Sequence, residues 1–76
     1  MVTIIPNSNY RLHIRFEGRS WDIAQVELDL GQLSSDEDVR AAVAAYLQVP
    51  ANKLAYYVIE RHANGNMTVR PEAIFG

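Results

Sequence analysis

The chain has 76 residues, a formal net charge of −2 and no cysteine. Its length predicts a single domain over residues 1–76, which buries only about 60% of the surface of the unfolded chain and therefore has one small core. The net charge argues against non-specific binding to nucleic acid or an anionic membrane. The absence of cysteine excludes disulfides and thiolate chemistry. No apolar run approaches the ~20 residues of a membrane span, so we expect a cytoplasmic protein.

The first nine residues combine a short apolar run with a break. Val2 to Ile5 reads Val-Thr-Ile-Ile, and the Pro-Asn-Ser-Asn sequence of residues 6–9 follows it. Because chain termini are usually poorly held, we interpret residues 1–9 as a loosely held arm of the domain. The alternatives are an edge strand and an arm that docks on a partner.

The segment from Tyr10 to Phe16 predicts a half-buried strand, because apolar residues alternate along it with arginine and histidine. The apolar residues point to the core, and the outward positions are Arg11, His13 and Arg15. The next four residues, Glu17 to Ser20, predict a turn in which Gly18 takes the left-handed conformation.

The segment from Trp21 to Leu30 predicts a second strand whose pattern changes phase part-way. Trp21 and Ile23 share one parity, whereas the later apolar residues, Val26, Leu28 and Leu30, share the other. A bulge or break near Ala24–Gln25 would bring both groups onto the core face.

The segment from Ser34 to Asp38 predicts the start of a helix. Ser35 is a favourable N-cap, and the three acidic residues after it complement the positive end of the helix dipole. The apolar residues that follow repeat at helical spacing and form one stripe: Val39, Ala42, Val43, Tyr46 and Leu47. Val49–Pro50 ends the helix, since proline disfavours helical geometry in the residue before it.

The final segment predicts a second hairpin. Ala55 to Arg61 is rich in aromatic and β-branched residues, and Met67 to Arg70 is the return strand. Asn64-Gly65 lies between them, and both residues of this dipeptide tolerate positive φ. Pro71 then removes a backbone donor from the return strand.

The loop length decides which residues of this hairpin face the core. A two-residue turn would pair Glu60 with Val69 and place a charge on the apolar face. A three-residue loop at positions 63–65, with the glycine left-handed, pairs Ile59 with Val69 and Arg61 with Met67. We predict the second arrangement because it groups the apolar side chains on one face, namely Tyr57, Ile59, Met67 and Val69.

The outward face of the second hairpin then carries Tyr56, Val58, Glu60, Thr68 and Arg70. The patterns together predict a core made of Leu12, Ile14, Phe16, Trp21, Ile23, Val26, Val39, Val43, Tyr46, Leu47, Tyr57, Ile59 and Val69. The predicted order of elements is therefore hairpin, helix, hairpin.

This ββαββ order resembles the ubiquitin-like β-grasp superfamily, in chain length, in element order and in the first turn centred on Gly18. The resemblance covers nearly the whole chain and concerns topology. It implies an α+β fold, a single ββαββ domain with one helix packed on one mixed sheet. Another small ββαββ sandwich with a different strand order is the alternative. The superfamily hosts modifiers, sulfur carriers and binding domains, so the fold alone does not determine the function.

The resemblance draws attention to the C-terminus. Ubiquitin-like modifiers and sulfur carriers resemble one another in an exposed tail with paired terminal glycines, because the carboxylate passes through a narrow channel to be adenylated. This chain ends in Phe75-Gly76 and matches that pattern at Gly76 alone. A modifier or sulfur carrier activated at Gly76 is an alternative function, and an ordinary terminus with an incidental glycine is the other interpretation.

The resemblance also implies that partners bind the outward sheet face near the last hairpin. If the first strand lies beside the last, its outward row extends that face. Aromatic residues and arginines are enriched in binding hot spots. We therefore predict a non-catalytic protein-interaction module that binds through Tyr56, Val58, Thr68, Arg70, Arg11, His13 and Arg15. The competing interpretation is that cross-strand Arg–Glu pairs merely solvate the sheet. Homo-oligomers would form through this face or through Val2–Ile5.

Other chemistry finds little support in the pattern. His13 and His62 have no third ligand at a suitable spacing, so we expect no metal site. The serines occupy turns and caps, and a chain this small lacks room for a ligand site of ~300 Å³, so we expect neither an enzyme nor a cofactor. Single-stranded RNA bound by Arg11, Arg15 and Arg70 is a third function, against which the net charge argues.

Overall fold

The computed structural model describes residues 10–72, which form an α+β domain with one α-helix and a four-stranded mixed sheet. The predicted α+β class, with one helix and one mixed sheet, is confirmed for those residues. The predictions for residues 1–9 and for Gly76 lie outside them. The elements are β1 (Arg11–Phe16), β2 (Arg19–Ala24), α1 (Asp36–Leu47), β3 (Tyr57–Arg61) and β4 (Met67–Pro71), with short 3-10 turns at Gln25–Leu28 and Ala51–Leu54.

The strands are ordered β2-β1-β4-β3 across the sheet. Each hairpin is antiparallel, whereas β1 and β4 pair in parallel at the centre, from Leu12 opposite Met67 to Ile14 opposite Val69. A parallel pair needs a long crossover connection, and the segment that contains α1 provides it. The central ladder ends before Pro71, which has no N–H to continue it.

The first hairpin turn is shorter than predicted. Phe16 pairs directly with Arg19, and the two residues between them, Glu17 and Gly18, have φ angles of 51° and 78°. Two left-handed residues match the twist of the flanking strands, so the pairing resumes at once and Ser20 already belongs to β2.

The predicted register of the second hairpin is confirmed. Ile59 lies opposite Val69, and Arg61 lies opposite Met67. Gly65 has a φ of 96°, as the three-residue loop requires. The apolar residues of this hairpin therefore share the face that the sequence pattern assigned to them.

The predicted continuation of the second strand beyond Ala24 is wrong, and a break in the strand lies where the phase change indicated a bulge or break. Gln25 leaves the strand with its backbone N–H donating to the Tyr10 carbonyl at 3.0 Å. Its side-chain Nε2 donates to the carbonyls of Arg11 at 3.0 Å and Gly65 at 2.8 Å. The bond to Tyr10 prolongs the β1–β2 pairing by one residue, and from Gln25 onward the chain follows a 3-10 turn instead of the strand.

The helix begins where the sequence predicts and ends slightly earlier. The Ser35 hydroxyl accepts a hydrogen bond from the Asp38 N–H at 3.0 Å, and the Asp38 carboxylate accepts one from the Ser35 N–H at 3.4 Å. The last helical residue is Leu47, because Gln48 takes the left-handed conformation with φ of 60°. Gln48 therefore separates the last helical residue from Val49–Pro50, where the sequence predicts the end of the helix.

The core lies between α1 and the sheet, and two of its predicted members are wrong. Val26 is 51% exposed because it belongs to the 3-10 turn rather than to a strand. Tyr46 is 41% exposed because α1 turns Val43 and Ala44 toward the sheet instead. The predicted residues that are buried are Leu12, Ile14, Phe16, Ile23, Val39, Val43 and Val69.

The remaining predicted core residues pack at its margin, where they are partly buried: Trp21, Leu47, Tyr57 and Ile59. Several buried residues were not in the predicted core, namely Ala24, Gln25, Leu30, Ala44, Leu54 and Met67. The apolar patterns place Leu30 and Met67 on the core-facing side, whereas Gln25 and Leu54 lie in connections where no periodic pattern marks an inward position.

We predict that Val43→Asp unfolds the domain, because Val43 is fully buried and an unpaired carboxylate there costs on the order of the whole free energy of unfolding, roughly 5 kcal/mol for a small domain. Ala41→Asp, at an exposed position of the same helix, is the matched control. Thermal unfolding followed by circular dichroism measures both variants. A cooperative, near-wild-type transition for Val43→Asp would contradict the prediction.

We predict that Gly65→Ala destabilises the domain more than Gly18→Ala. Both glycines have positive φ, so alanine costs about 1–2 kcal/mol of backbone strain at either position. A Cβ at Gly65 would also lie 2.9 Å from the Tyr10 ring, whereas one at Gly18 meets nothing within 4 Å. We expect the clash to cost a further ~1–3 kcal/mol in urea unfolding. Equal losses for the two variants would mean that the Tyr10 ring moves aside freely.

Candidate interaction face of the sheet

The strands leave one face of the sheet turned away from α1, and we call it the open face. Leu12 and Ile14 are fully buried against the core, so the residues between and around them in β1 turn the other way. The cross-strand register carries this alternation through all four strands. The strand residues of the open face are Arg11, His13, Arg15, Ser20, Asp22, Val58, Glu60, Thr68 and Arg70.

The structure brings together the predicted partner-binding residues of three strands. β1 lies beside β4, as expected, and His13 is opposite Thr68. The same parallel register, extended by one residue, places Arg15 beside Arg70. On the other side of β4, Val58 lies opposite Arg70. These side chains therefore form one continuous surface.

Tyr56 lies at the corner of this surface rather than within a strand. It precedes β3 and is 82% exposed. With Tyr57, Pro71 and Glu72 it lines a mostly apolar hollow of about 410 Å³. The hollow is an open surface feature lined by four residues, not an enclosed cavity.

Two ion pairs cross between neighbouring strands of the open face. Arg11 Nε donates to Asp22 Oδ1 at 2.9 Å, and Arg70 Nε lies 3.0 Å from Glu60 Oε1. Among residues 10–72, Arg15 forms no ion pair. The face thus holds three arginines and two carboxylates, a local positive excess in a chain whose net charge is −2.

Two ionisable groups near the hairpin have shifted pKa values. The hydrogen bond from Arg70, followed by its positive charge, lowers the pKa of the Glu60 carboxyl below 4.5. Burial raises the pKa of the Tyr57 phenol above 10.0, and the negative charge of Glu17 adds to this. Glu60 is therefore ionised and Tyr57 neutral at physiological pH.

The two histidines have different neighbours in the sheet. His62 Nε2 lies 2.9 Å from Thr68 Oγ1, within hydrogen-bond distance, and His13 lies in the row between Asp22 and Thr68. Within the part of the chain that the structure describes, no three metal-ligating side chains cluster.

Several members of this surface were not among the predicted binding residues. Ser20 and Asp22 lie opposite Arg15 and His13, and Glu72 joins the hollow at the end of β4. A two-residue turn at Glu17–Gly18 sets a register that pairs Ser20 and Asp22 with the outward residues of β1, so the correct turn length would have predicted their place on this face.

Comparison with protein-family models finds no matching family, and neither the curated proteins nor the solved structures yield a match to this chain. Among residues 10–72, no helix has the length and apolar character to cross a membrane.

We predict that Arg70→Met raises the pKa of Glu60 toward 4.5, because it removes the bond that favours the ionised carboxyl. Since the folded-state pKa is depressed, Glu60 stabilises the fold at pH values above its unfolded pKa, and this contribution disappears as the pH falls through the folded-state pKa. NMR titration of the side-chain carboxyl measures the shift. Arg15→Met is the matched control, and an equal shift in that variant would contradict the assignment to Arg70.

Proposed function

We propose that this chain is a ubiquitin-like β-grasp domain that acts as a protein-interaction module and binds its partner through the open face. The binding residues in this proposal are Tyr56, Val58, Thr68, Arg70, Arg11, His13 and Arg15. The support comes from the sheet order, from the exposure of Tyr56 and from the arginines of the open face.

The β-grasp assignment rests on the order of the elements in space. The two hairpins meet through a parallel pair of β1 and β4, and the connection between the hairpins contains the single α-helix of residues 10–72. This arrangement agrees with the ββαββ order on which the resemblance depends. A different strand order, such as a central β2, would have favoured another small sandwich.

The observation that carries the interaction proposal is the exposure of Tyr56. Leaving an aromatic ring 82% exposed beside an apolar hollow gains nothing for the isolated domain, whereas burying it against a partner would remove apolar surface from water. Val58 continues the apolar surface, and Arg70 beside it supplies a guanidinium group. Tyrosine and arginine are the residue types that dominate measured binding hot spots.

The competing proposals draw less support from the same contacts. Among residues 10–72, Arg11 and Arg70 are paired with carboxylates and Arg15 is not, so one arginine of the open face remains for an RNA phosphate. Activation at Gly76 concerns a residue outside residues 10–72. In a lysate run under denaturing and reducing conditions, loss of a ladder of heavier species on deletion of Gly76 would support the modifier function instead.

We predict that Tyr56→Ala with Val58→Ser keeps the fold and loses the partner. Pull-down from the native host, with bound proteins identified by mass spectrometry, compares this double variant with wild type. The matched control is Tyr46→Ala with Val26→Ser, which removes the same side chains from exposed positions away from the open face.

The open face would be excluded as the binding site if the first pair of substitutions retained every partner of the wild-type chain, or if both pairs lost the same partners. Circular dichroism of both variants confirms beforehand that they fold. A loss confined to the Tyr56 and Val58 variant is the expected result.

A further inference from the structure

The two edges of the sheet differ in how their outward backbone groups are used, and β2 is the protected edge. Antiparallel strands direct the backbone groups of alternate residues away from the partner strand. In β2, the outward carbonyl of Asp22 accepts a hydrogen bond from Arg11 Nη2 at 3.0 Å, and the outward N–H of Ala24 donates to Glu27 Oε2 at 3.1 Å. Side chains of the domain therefore bind two of the six outward backbone groups of β2.

The edge of β3 is more open. The His62 N–H donates to the Asn66 carbonyl at 2.9 Å, so the next residues alternate away from the hairpin partner. The outward backbone groups belong to Tyr57, Ile59 and Arg61. Within residues 10–72 one hydrogen bond reaches them, from Arg40 Nε to the Tyr57 carbonyl at 3.0 Å. Such an edge is a template for another strand.

We propose that β3 is a homodimer interface, in which the β3 strands of two copies pair antiparallel about a twofold axis at Ile59. The outward-directed residues are three, and Ile59 is the middle one, so a twofold axis there makes the edge complementary to itself. Ile59 exchanges two hydrogen bonds with Ile59 of the second copy. Tyr57 and Arg61 exchange bonds with each other across the axis.

The side chains brought together by this register are compatible on both faces. On the open face, Val58 lies opposite Glu60 of the second copy. On the core face, Tyr57 lies opposite Arg61 of the second copy, an aromatic ring beside a guanidinium group. None of these directly opposed strand pairs brings like charges together. The corresponding pairing of two β2 edges would place Asp22 opposite Asp22, which is repulsive, so the charges favour β3.

The existing contacts of the β3 edge remain possible in the dimer. The Tyr57 carbonyl has two lone pairs, so it accepts from Arg40 and from the incoming N–H of Arg61 together. Arg61 Nη2 already donates to Asp36 Oδ1 at 2.8 Å, so it adds no unpaired charge to the interface. The joined sheet has eight strands, and the open faces of both copies stay uncovered for another partner. The interface is small, so we expect a weak dimer.

Two substitutions at Val58 test the register, because they should move the dimer in opposite directions. Val58→Glu places two carboxylates opposite each other, and Val58→Lys places an ammonium opposite Glu60. Each pair occurs twice by symmetry, so we expect sedimentation equilibrium to show a dissociation constant about 2- to 30-fold higher for Val58→Glu and lower by a similar factor for Val58→Lys.

Misfolding cannot imitate this result. Within one copy Val58 lies opposite Arg70, so glutamate there should favour the monomer fold and lysine should weaken it, the reverse of their effects on the dimer. Adding Glu60→Lys to Val58→Glu restores an opposite-charge pair across the axis and should recover the dimer.

Amide hydrogen exchange locates the interface independently. The outward N–H groups of Ile59 and Arg61 should become more protected as the protein concentration rises, whereas those of Ser20 and Asp22 on the other edge should not change. A wild-type chain that stays monomeric at millimolar concentration would overturn the proposal. So would equal effects of the two Val58 variants, or protection without concentration dependence at Ile59.

Discussion

The hydrogen bonds of Gln25 hold the two hairpins in register with each other. Its backbone N–H binds the Tyr10 carbonyl, and its Nε2 binds the carbonyls of Arg11 and Gly65, with lengths from 2.8 to 3.0 Å. One fully buried residue thus joins the end of β2, the start of β1 and the loop between β3 and β4. The other polar atom of the amide, Oε1, is buried without a hydrogen-bond partner among residues 10–72, so burying the Gln25 side chain has a desolvation cost.

The hydrogen bonds of Gln25 lie at the end of the sheet where the parallel pairing of β1 and β4 begins, and the open face depends on that pairing. β1 and β4 are far apart in sequence, and closing such a long loop costs chain entropy before any contact forms. Gln25 helps to offset that cost at the end of the sheet where β1 begins. Once the strands are aligned, the outward rows of β1 and β4 become neighbours, and Arg15 comes to lie beside Arg70.

The charges are distributed unevenly between the helix and the sheet, so the net charge of the chain does not describe the charge of each surface. The acidic residues Asp36, Glu37 and Asp38 gather at the start of α1, where they complement the helix dipole and complete the cap. Five of the six arginines lie on the strands. A chain with a net charge of −2 therefore presents a face with a local positive excess, so the sign of the whole does not give the sign of the surface.

Local patterns predicted the elements of this fold where a physical rule links neighbouring residues. The alternation of apolar and polar residues predicted β1. The cap residue Ser35 and the apolar stripe through Val43 predicted α1, and the loop length around Gly65 predicted the register of the second hairpin. Each of these features involves contacts between residues close in sequence. The same rules failed where contacts between residues distant in sequence determine which side chains are buried. Val26 continues an apolar pattern yet lies on the surface.

The sequence by itself determined the α+β class, the single helix of the described domain and most of the side chains that face outward. Only the tertiary structure decided that the strand does not resume after Ala24, that Leu54 joins the core, and that the open face joins three strands into one surface. Periodicity reports which side of an element is apolar, whereas the partner of each element depends on packing and hydrogen bonds between residues distant in the chain.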